Sequence, residues 1–272
     1  MQYISKMVKL SLILALLFLA SNSYACPFKL DRELYQGGIA YGTIDEGYDL
    51  FLDKKKIPTK NGNFIIGIHR DRKVNALFKA FDNKTKKQIN CEIEVKKFKW
   101  KIDYVNGVEG EKVTPPKSYF DRIQKEQNLM VNARKALLTN HFPTSFIMPV
   151  HGRISSPFGG QRVFNGQPRS PHSGIDIAAK QGTPIKAIED GKVMLAYDEM
   201  FFSGKIIVID HGFYVNSTYA HLSKINVKKG DTVKKGDIIG EVGSTGRSTG
   251  PHLHITINIF GVNVDPLKVL KD

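Results

Sequence analysis

Apolar positions recur along this chain in two rhythms, with period two at either end and a near-helical period between. From about Leu34 to Trp100, short runs such as Ile39-Ala40-Tyr41, Tyr48-Asp49-Leu50-Phe51-Leu52 and Phe64-Ile65-Ile66-Gly67-Ile68 are separated by Gly, Asp and Asn. Runs of that length between turn residues predict strands, and Asn61-Gly62 between two of them is a hairpin signal. A lysine-rich stretch punctuated by Gly and Pro, from Lys96 to Lys117, interrupts the pattern and reads as a connector. Phe120, Ile123, Gln127, Met130 and Leu137 then recur near helical spacing with Lys125, Glu126 and Arg134 among them, which predicts one helix over Ser118–Leu138. Ser118 can cap its start, and Phe142-Pro143 lies just beyond its end. From about Phe146 the strand rhythm returns in Gly191-Lys192-Val193-Met194, Lys205-Ile206-Ile207-Val208-Ile209 and Asp237-Ile238-Ile239-Gly240-Glu241-Val242. The fold class expected is mainly β, with a small N-terminal β-sandwich-like domain (26–100), a connector and linking helix (101–144) and a C-terminal all-β domain (145–272).

The first residues follow neither rhythm. Lys6 and Lys9 precede an apolar run from Leu10 to Ala20, closed by Ser21-Asn22-Ser23-Tyr24-Ala25. A charged start, a short apolar stretch and a small-residue end predict a secretory signal, residues 1–25, cleaved after Ala25. The run is about half the roughly 20 residues a membrane span needs, and no transmembrane span is expected in the mature chain. The expected location is the periplasm, with secretion or a lipid anchor on Cys26 as alternatives. The full chain has a net charge of +14, and loss of Lys6 and Lys9 leaves 14 − 2 = +12. Such a field attracts nucleic acid, anionic lipid or an anionic polymer. Neither an aromatic–basic nucleic-acid motif nor a zinc finger is present, so nucleic acid is set aside. The chain has 2 cysteines, Cys26 and Cys91, and in an oxidising compartment they are expected to pair. Ser23-Tyr24-Ala25 lacks the aliphatic residue usual three before a lipidated cysteine.

The candidate chemistry lies in the C-terminal part. In Gly250-Pro251-His252-Leu253-His254-Ile255-Thr256-Ile257, alternate apolar residues face a core while the other face carries two imidazoles about 7 Å apart. In His172-Ser173-Gly174-Ile175-Asp176, an extended chain would put His172 and Asp176 on one face. A third strand, Thr218-Tyr219-Ala220-His221, would set His221 on a face with Val215, Ser217 and Tyr219. Imidazole nitrogen with carboxylate oxygen suits zinc, and catalytic zinc keeps three protein ligands and one open position for water. Spacing alone does not say whether His252 or His254 is the ligand. Of the remaining histidines, His69 and His211 read as turn residues, and His141 and His151 as structural or exposed.

These residues resemble the lysostaphin/LytM-type zinc peptidases. The likeness runs in order through Ile154-Ser155-Ser156-Pro157-Phe158-Gly159, His172-Ser173-Gly174-Ile175-Asp176, Ala187-Ile188-Glu189-Asp190-Gly191 and Tyr219-Ala220-His221-Leu222. It continues through Val233-Lys234-Lys235-Gly236 and Gly243-Ser244-Thr245-Gly246 to Gly250-Pro251-His252-Leu253-His254. The resemblance implies a zinc endopeptidase that hydrolyses peptide cross-links or stem peptides of bacterial peptidoglycan. In a Gram-negative setting the bond would be D-alanyl–diaminopimelate. It implies His172, Asp176 and His254 as metal ligands for one Zn²⁺, and His221 and His252 as catalytic partners. Arg162 and Tyr219 are expected as substrate contacts.

Two rivals remain. A family member that has lost its ligands would bind wall or activate another hydrolase, but all five site residues are present here. The run Val227–Asp237 resembles biotinyl and lipoyl carriers but lacks their Met-Lys-Met tip. The N-terminal domain is expected to cover the groove until the wall or a regulatory protein partner displaces it, or else to be a spacer or wall-binding module.

Overall fold

The protein is described from a computed structural model covering residues 25–135 and 141–271. The expected export signal, apart from Ala25, and residues 136–138 of the expected helix lie outside the described residues. Among the described residues, no helix is long and apolar enough to cross a membrane. The architecture is mainly β with one long helix.

In the N-terminal part, Ile39–Ile44 pairs antiparallel with Phe28–Leu30 on one side and Asn63–Gly67 on the other. A second sheet runs in the order Lys55–Ile57, Tyr48–Leu52, Ala76–Asp82, Gln88–Ile93. Leu34, Leu50, Phe64 and Phe78 fill the space between them and are almost wholly buried. Asn61 and Gly62 take φ of 50° and 74°, the left-handed pair that a two-residue hairpin turn requires, between bridged Lys60 and Asn63. Cys26 is bonded to Cys91 across 65 residues of chain. That crosslink ties the segment just before Phe28–Leu30 to the second sheet.

Phe64-Ile65-Ile66 contains no polar position because the strand is covered on both sides. Phe64 and Ile66 point into the N-terminal core, whereas Ile65, with Ile39, belongs to the core of the C-terminal domain. Gly67 makes this approach possible. A Cβ there would stand 2.8 Å from Val264 Cγ1, a separation that real Cβ atoms do not show.

The C-terminal domain is built on a sheet in the order Arg153–Ser156, Ile175–Ala178, His252–Ile259, Val215–Leu222, Gly204–Asp210, Gly191–Met200, Thr232–Val233, with Val262–Val264 also paired to His252–Ile259. One face buries Ile175, Ile177, Ile207, Ile209, Tyr219, Leu253, Ile255 and Ile257. The opposite face carries the histidine cluster and, further along, Met200, Ile206, Val208 and Ala220 under the helix Phe120–Lys135. The helix is preceded by a 3-10 turn, Lys117–Tyr119. Its contact face follows the apolar spacing only in part, since Met130 packs on the sheet beside Ala133. Phe120 is 55% exposed, while Glu126, 7% exposed, is buried and accepts hydrogen bonds from Phe201 N–H and Arg122 Nε–H, each at 2.8 Å. A polar anchor on the hairpin turn after Met200 sets the helix rotation there.

The expected connector is integral to the C-terminal domain. Ile102–Val105 forms a strand parallel to Gln161–Phe164, with Ile102 opposite Gln161 and Val105 opposite Phe164. Val108 and Val113 then pack on Phe164. Strand pairing and these two valines attach the segment to the side of the site.

Candidate metal centre

Backbone register brings the histidines and carboxylate together. His254 lies in the middle of its sheet, opposite Asp176 on one neighbouring strand and Ala220 on the other. His172 is not on a strand, as an extended His172–Asp176 segment would have it. It sits in the loop before Ile175, where its N–H donates to Gly160 O and its carbonyl accepts from Gly159 N–H. The following Gly174 lets that loop lie flat on the sheet, because a Cβ there would come 2.1 Å from Ile255 O.

The donor atoms converge. His172 Nε2 is 2.9 Å from His254 Nδ1 and 3.0 Å from Asp176 Oδ1, and His254 Nδ1 is 2.7 Å from that same oxygen. Among the described residues, this trio is the set of His, Cys, Asp and Glu side chains close enough to hold a metal ion. The outer hydrogen bonds decide the ring states. His172 Nδ1 lies 2.9 Å from Pro157 O, and a carbonyl only accepts, so a proton is on Nδ1 and Nε2 is the nitrogen left to offer a lone pair to a metal at the centre. His254 Nε2 is 3.0 Å from Thr256 Oγ1. With Thr256 accepting, His254 also turns a lone pair inward. Two lone pairs facing a carboxylate oxygen at these distances repel one another unless a proton or a cation lies among them. Zinc at ~2.0–2.1 Å from each donor would spread them by a few tenths of an ångström. The donor set fits the ion.

Electrostatics agree with the donor geometry. Burial raises the pKa of Asp176, but the ring nitrogens of His172 and His254 beside it outweigh burial and hold the carboxyl well below the usual range. Burial lowers the pKa of His254 against the pull of Asp176, keeping its ring neutral. Arg162 Nη2 donates to Asp176 Oδ2 at 2.6 Å, so Arg162, expected as a substrate contact, braces the carboxylate.

His221 and His252 form the opposite wall, with ring centroids 4.8 Å apart. Each donates Nδ1–H to a carbonyl, His221 to Thr245 O and His252 to Gly250 O, both at 2.8 Å. Each therefore presents Nε2 to the groove. Burial, then His254 and His252, lower the pKa of His221 to about 3.

His221 reaches this wall by an irregularity that no alternation predicts. Tyr219 and Leu222 both face the core at 0% exposed, so Ala220 and His221 together face the site. The pairing with Gly204–Asp210 slips there, Lys205 opposing Leu222 and Ile207 opposing Tyr219, and His221 takes φ 65°. A bulge of this kind re-aims a side chain. Tyr219, expected on the same face as His221 and in contact with substrate, is instead a core residue. Its hydroxyl accepts from Ile188 N–H and pairs with Ser217 Oγ at 3.0 Å. The bulge separates Tyr219 and His221 onto opposite faces. His211, expected as a turn residue, directly follows the adjoining strand Gly204–Asp210 and is wholly buried, donating Nδ1–H to Asp190 O at 2.8 Å and accepting from Ser217 at Nε2.

Sequence reasoning missed Arg169 and Arg247. Arg162, Phe164, His221 and Arg247 line both of the cavities that flank the centre, and Arg169 lines one of them. Val105 and Val108 of the connector wall the other cavity. The available signal was a lone charge in the Gly-, Ser- and Thr-rich run Gly243–Gly250.

Residues 170–266 match Peptidase family M23. The chain therefore carries an M23 peptidase domain of the LytM/lysostaphin type. It is 43% identical over 117 residues to the peptidoglycan DD-endopeptidase ShyA of Vibrio cholerae, covering 43% of this chain and 27% of that protein. It is 44% identical over 120 residues to the DD-carboxypeptidase/endopeptidase Mpg of Neisseria meningitidis, covering 44% of this chain and 27% of that one. The chain thus matches only about a quarter of the length of these curated relatives. A crystal structure of a putative M23 peptidase from Pseudomonas aeruginosa superposes with a TM-score of 0.65 at 29% identity, over 88% of this chain and 95% of that one. The structural likeness therefore extends into the N-terminal half.

Proposed function

We propose that the protein is a zinc-dependent endopeptidase that hydrolyses peptide cross-links of bacterial peptidoglycan, with the D-alanyl–diaminopimelate bond as its target. The observation that carries this reading is the convergence of His172 Nε2, Asp176 Oδ1 and His254 Nδ1, with the first ring oriented by its Nδ1–H to Pro157 O. These three residues would hold one zinc ion. Zinc bound there supplies a Lewis acid for the scissile carbonyl and lowers the pKa of water toward neutrality. Relatives named as peptidoglycan endopeptidases support the substrate class.

The remaining work falls to this chain's own groups. His221, neutral because it is buried, offers Nε2 as an acceptor for a proton of the attacking water. His252, with its Nδ1–H held by Gly250 O, offers a second Nε2 on the same wall. When protonated, such a group donates to the oxygen on which charge develops. Arg162 keeps Asp176 oriented. The paired cysteines and the expected leader support a periplasmic setting, where the cross-linked wall is met.

The test is digestion of purified Gram-negative peptidoglycan by the mature protein beside a His254→Ala variant, with products resolved by mass. Monomeric muropeptides should appear with the wild type alone, vanish on chelation and return with zinc. Equal release by His254→Ala, or none by zinc-loaded wild type, overturns the reading.

A further inference from the structure

The groove is lopsided in charge. The two cavities beside the histidine centre are lined by Arg162, Arg169 and Arg247 but by one carboxylate, Asp176. Two of the arginines are already committed. Arg162 is paired with Asp176, and Arg169 donates to Val113 O at 2.8 Å and to the Thr114 hydroxyl. Arg247 differs. Its side-chain hydrogen bond within the described residues is one long contact from Nη1 to Lys112 O at 3.3 Å, and no carboxylate among them lies within ion-pair distance.

Its position is nonetheless fixed. The guanidinium lies 4.9 Å from the Phe164 ring centre and 4.5 Å from that of Phe202, held between two aromatic faces. Its backbone N–H donates to Phe202 O at 2.8 Å. A planar cation clamped by rings loses little further freedom when it binds an anion, and a guanidinium matches a carboxylate with two parallel hydrogen bonds. Burial, then repulsion from Arg162 and Arg169, lowers its pKa to about 10, as expected of a charge without a counter-ion.

We propose that Arg247 is a specificity-determining residue that binds a free carboxylate of the substrate peptide while the scissile bond lies over the histidine centre. This rests on the endopeptidase reading above and adds to it the substrate's charge. A cross-linked stem peptide offers two sources of that group, the α-carboxylate at a peptide end and the side-chain carboxylate of a diamino acid. An uncharged bridge of glycines offers neither beside its internal bonds.

The experiment measures kcat/KM on three purified cross-linked muropeptide dimers: unmodified, amidated at the diamino-acid carboxylate, and amidated at the terminal carboxylate. Loss of a charge-assisted pair of hydrogen bonds predicts roughly a 10- to 100-fold lower kcat/KM for one amidated dimer, carried mainly by KM. The dimer that suffers identifies the source. Arg247→Gln should erase the preference between that dimer and the unmodified one, and Arg247→Lys should restore part of it. Zinc content equal to wild type shows that the variants keep the centre, a readout that separates binding from folding. Equal kcat/KM on all three dimers overturns this inference and leaves the endopeptidase reading standing, as does a preference that survives in Arg247→Gln. Cleavage of none by zinc-loaded wild type overturns both.

Discussion

Thr256→Val isolates the hydrogen bond that sets the ring state of His254. The two side chains are nearly the same size, and Thr256 is 2% exposed, so the substitution removes an acceptor without opening a cavity. In the metal-loaded protein, His254 would coordinate through Nδ1 and must carry its proton on Nε2, where Thr256 Oγ1 receives it at 3.0 Å. Without that oxygen the buried N–H has no partner, which costs about 1–3 kcal/mol. The metal-free protein escapes the cost by moving the proton to Nδ1, 2.7 Å from Asp176 Oδ1. The penalty therefore falls on zinc binding rather than on folding. At about 1.4 kcal/mol per factor of ten, zinc affinity should drop roughly 5- to 150-fold. Competition with a chromophoric chelator reads this directly, and thermal melts in excess chelator should match wild type within a degree or two. An unchanged zinc affinity would refute the assigned ring state. A large loss of metal-free stability would refute the proton-shift argument.

Three further outcomes are expected. Reducing the Cys26–Cys91 bond, or replacing both residues by Ser, should destabilise the N-terminal part by about 4 kcal/mol, from the 65-residue loop it closes, read in urea titrations with and without reductant. Glu126→Ala should cost about 2–3 kcal/mol, because Phe201 N–H loses a buried, charge-assisted acceptor; a variant as stable as wild type in chemical denaturation would exclude the anchor role. His211 has its pKa lowered to about 4 by burial, so its contribution to stability is complete above pH 6.5 and is lost as pH falls toward 4, when only the unfolded chain takes the proton. In excess chelator, His211→Asn should therefore lose less stability than wild type between pH 7 and pH 4.5, and identical pH slopes would refute this.

Much of the site was legible because the strand His252–Ile259 alternates without interruption, and alternation fixes which residues share a face. Leu253 and Ile255 are buried, and His252 and His254 stand opposite them. The same rule failed one strand away. Alternation coupled His221 to Tyr219, and the extra residue at the bulge, with left-handed backbone at His221, put them on opposite faces. Backbone of that kind leaves no mark in a pattern of apolar and polar letters. The connector was misjudged for a related reason. Ile102 and Tyr104 are 55% and 71% exposed, so the strand they belong to lacks an apolar face and is held by backbone pairing to Gln161–Phe164. The helix was legible and its contact face partly so: Met130 packs on the sheet as its spacing suggests, but Phe120 is exposed and the buried Glu126 takes a contact position.

The apolar run Phe64-Ile65-Ile66 has a further consequence. Because that strand serves two interiors at once, removing residues before Ser145 would strip Ile39 and Ile65 from the larger interior and leave raw apolar surface beside Ile259 and Val264. An excised C-terminal fragment would then be a damaged particle rather than a liberated enzyme. Heating the intact protein should accordingly give one shared transition.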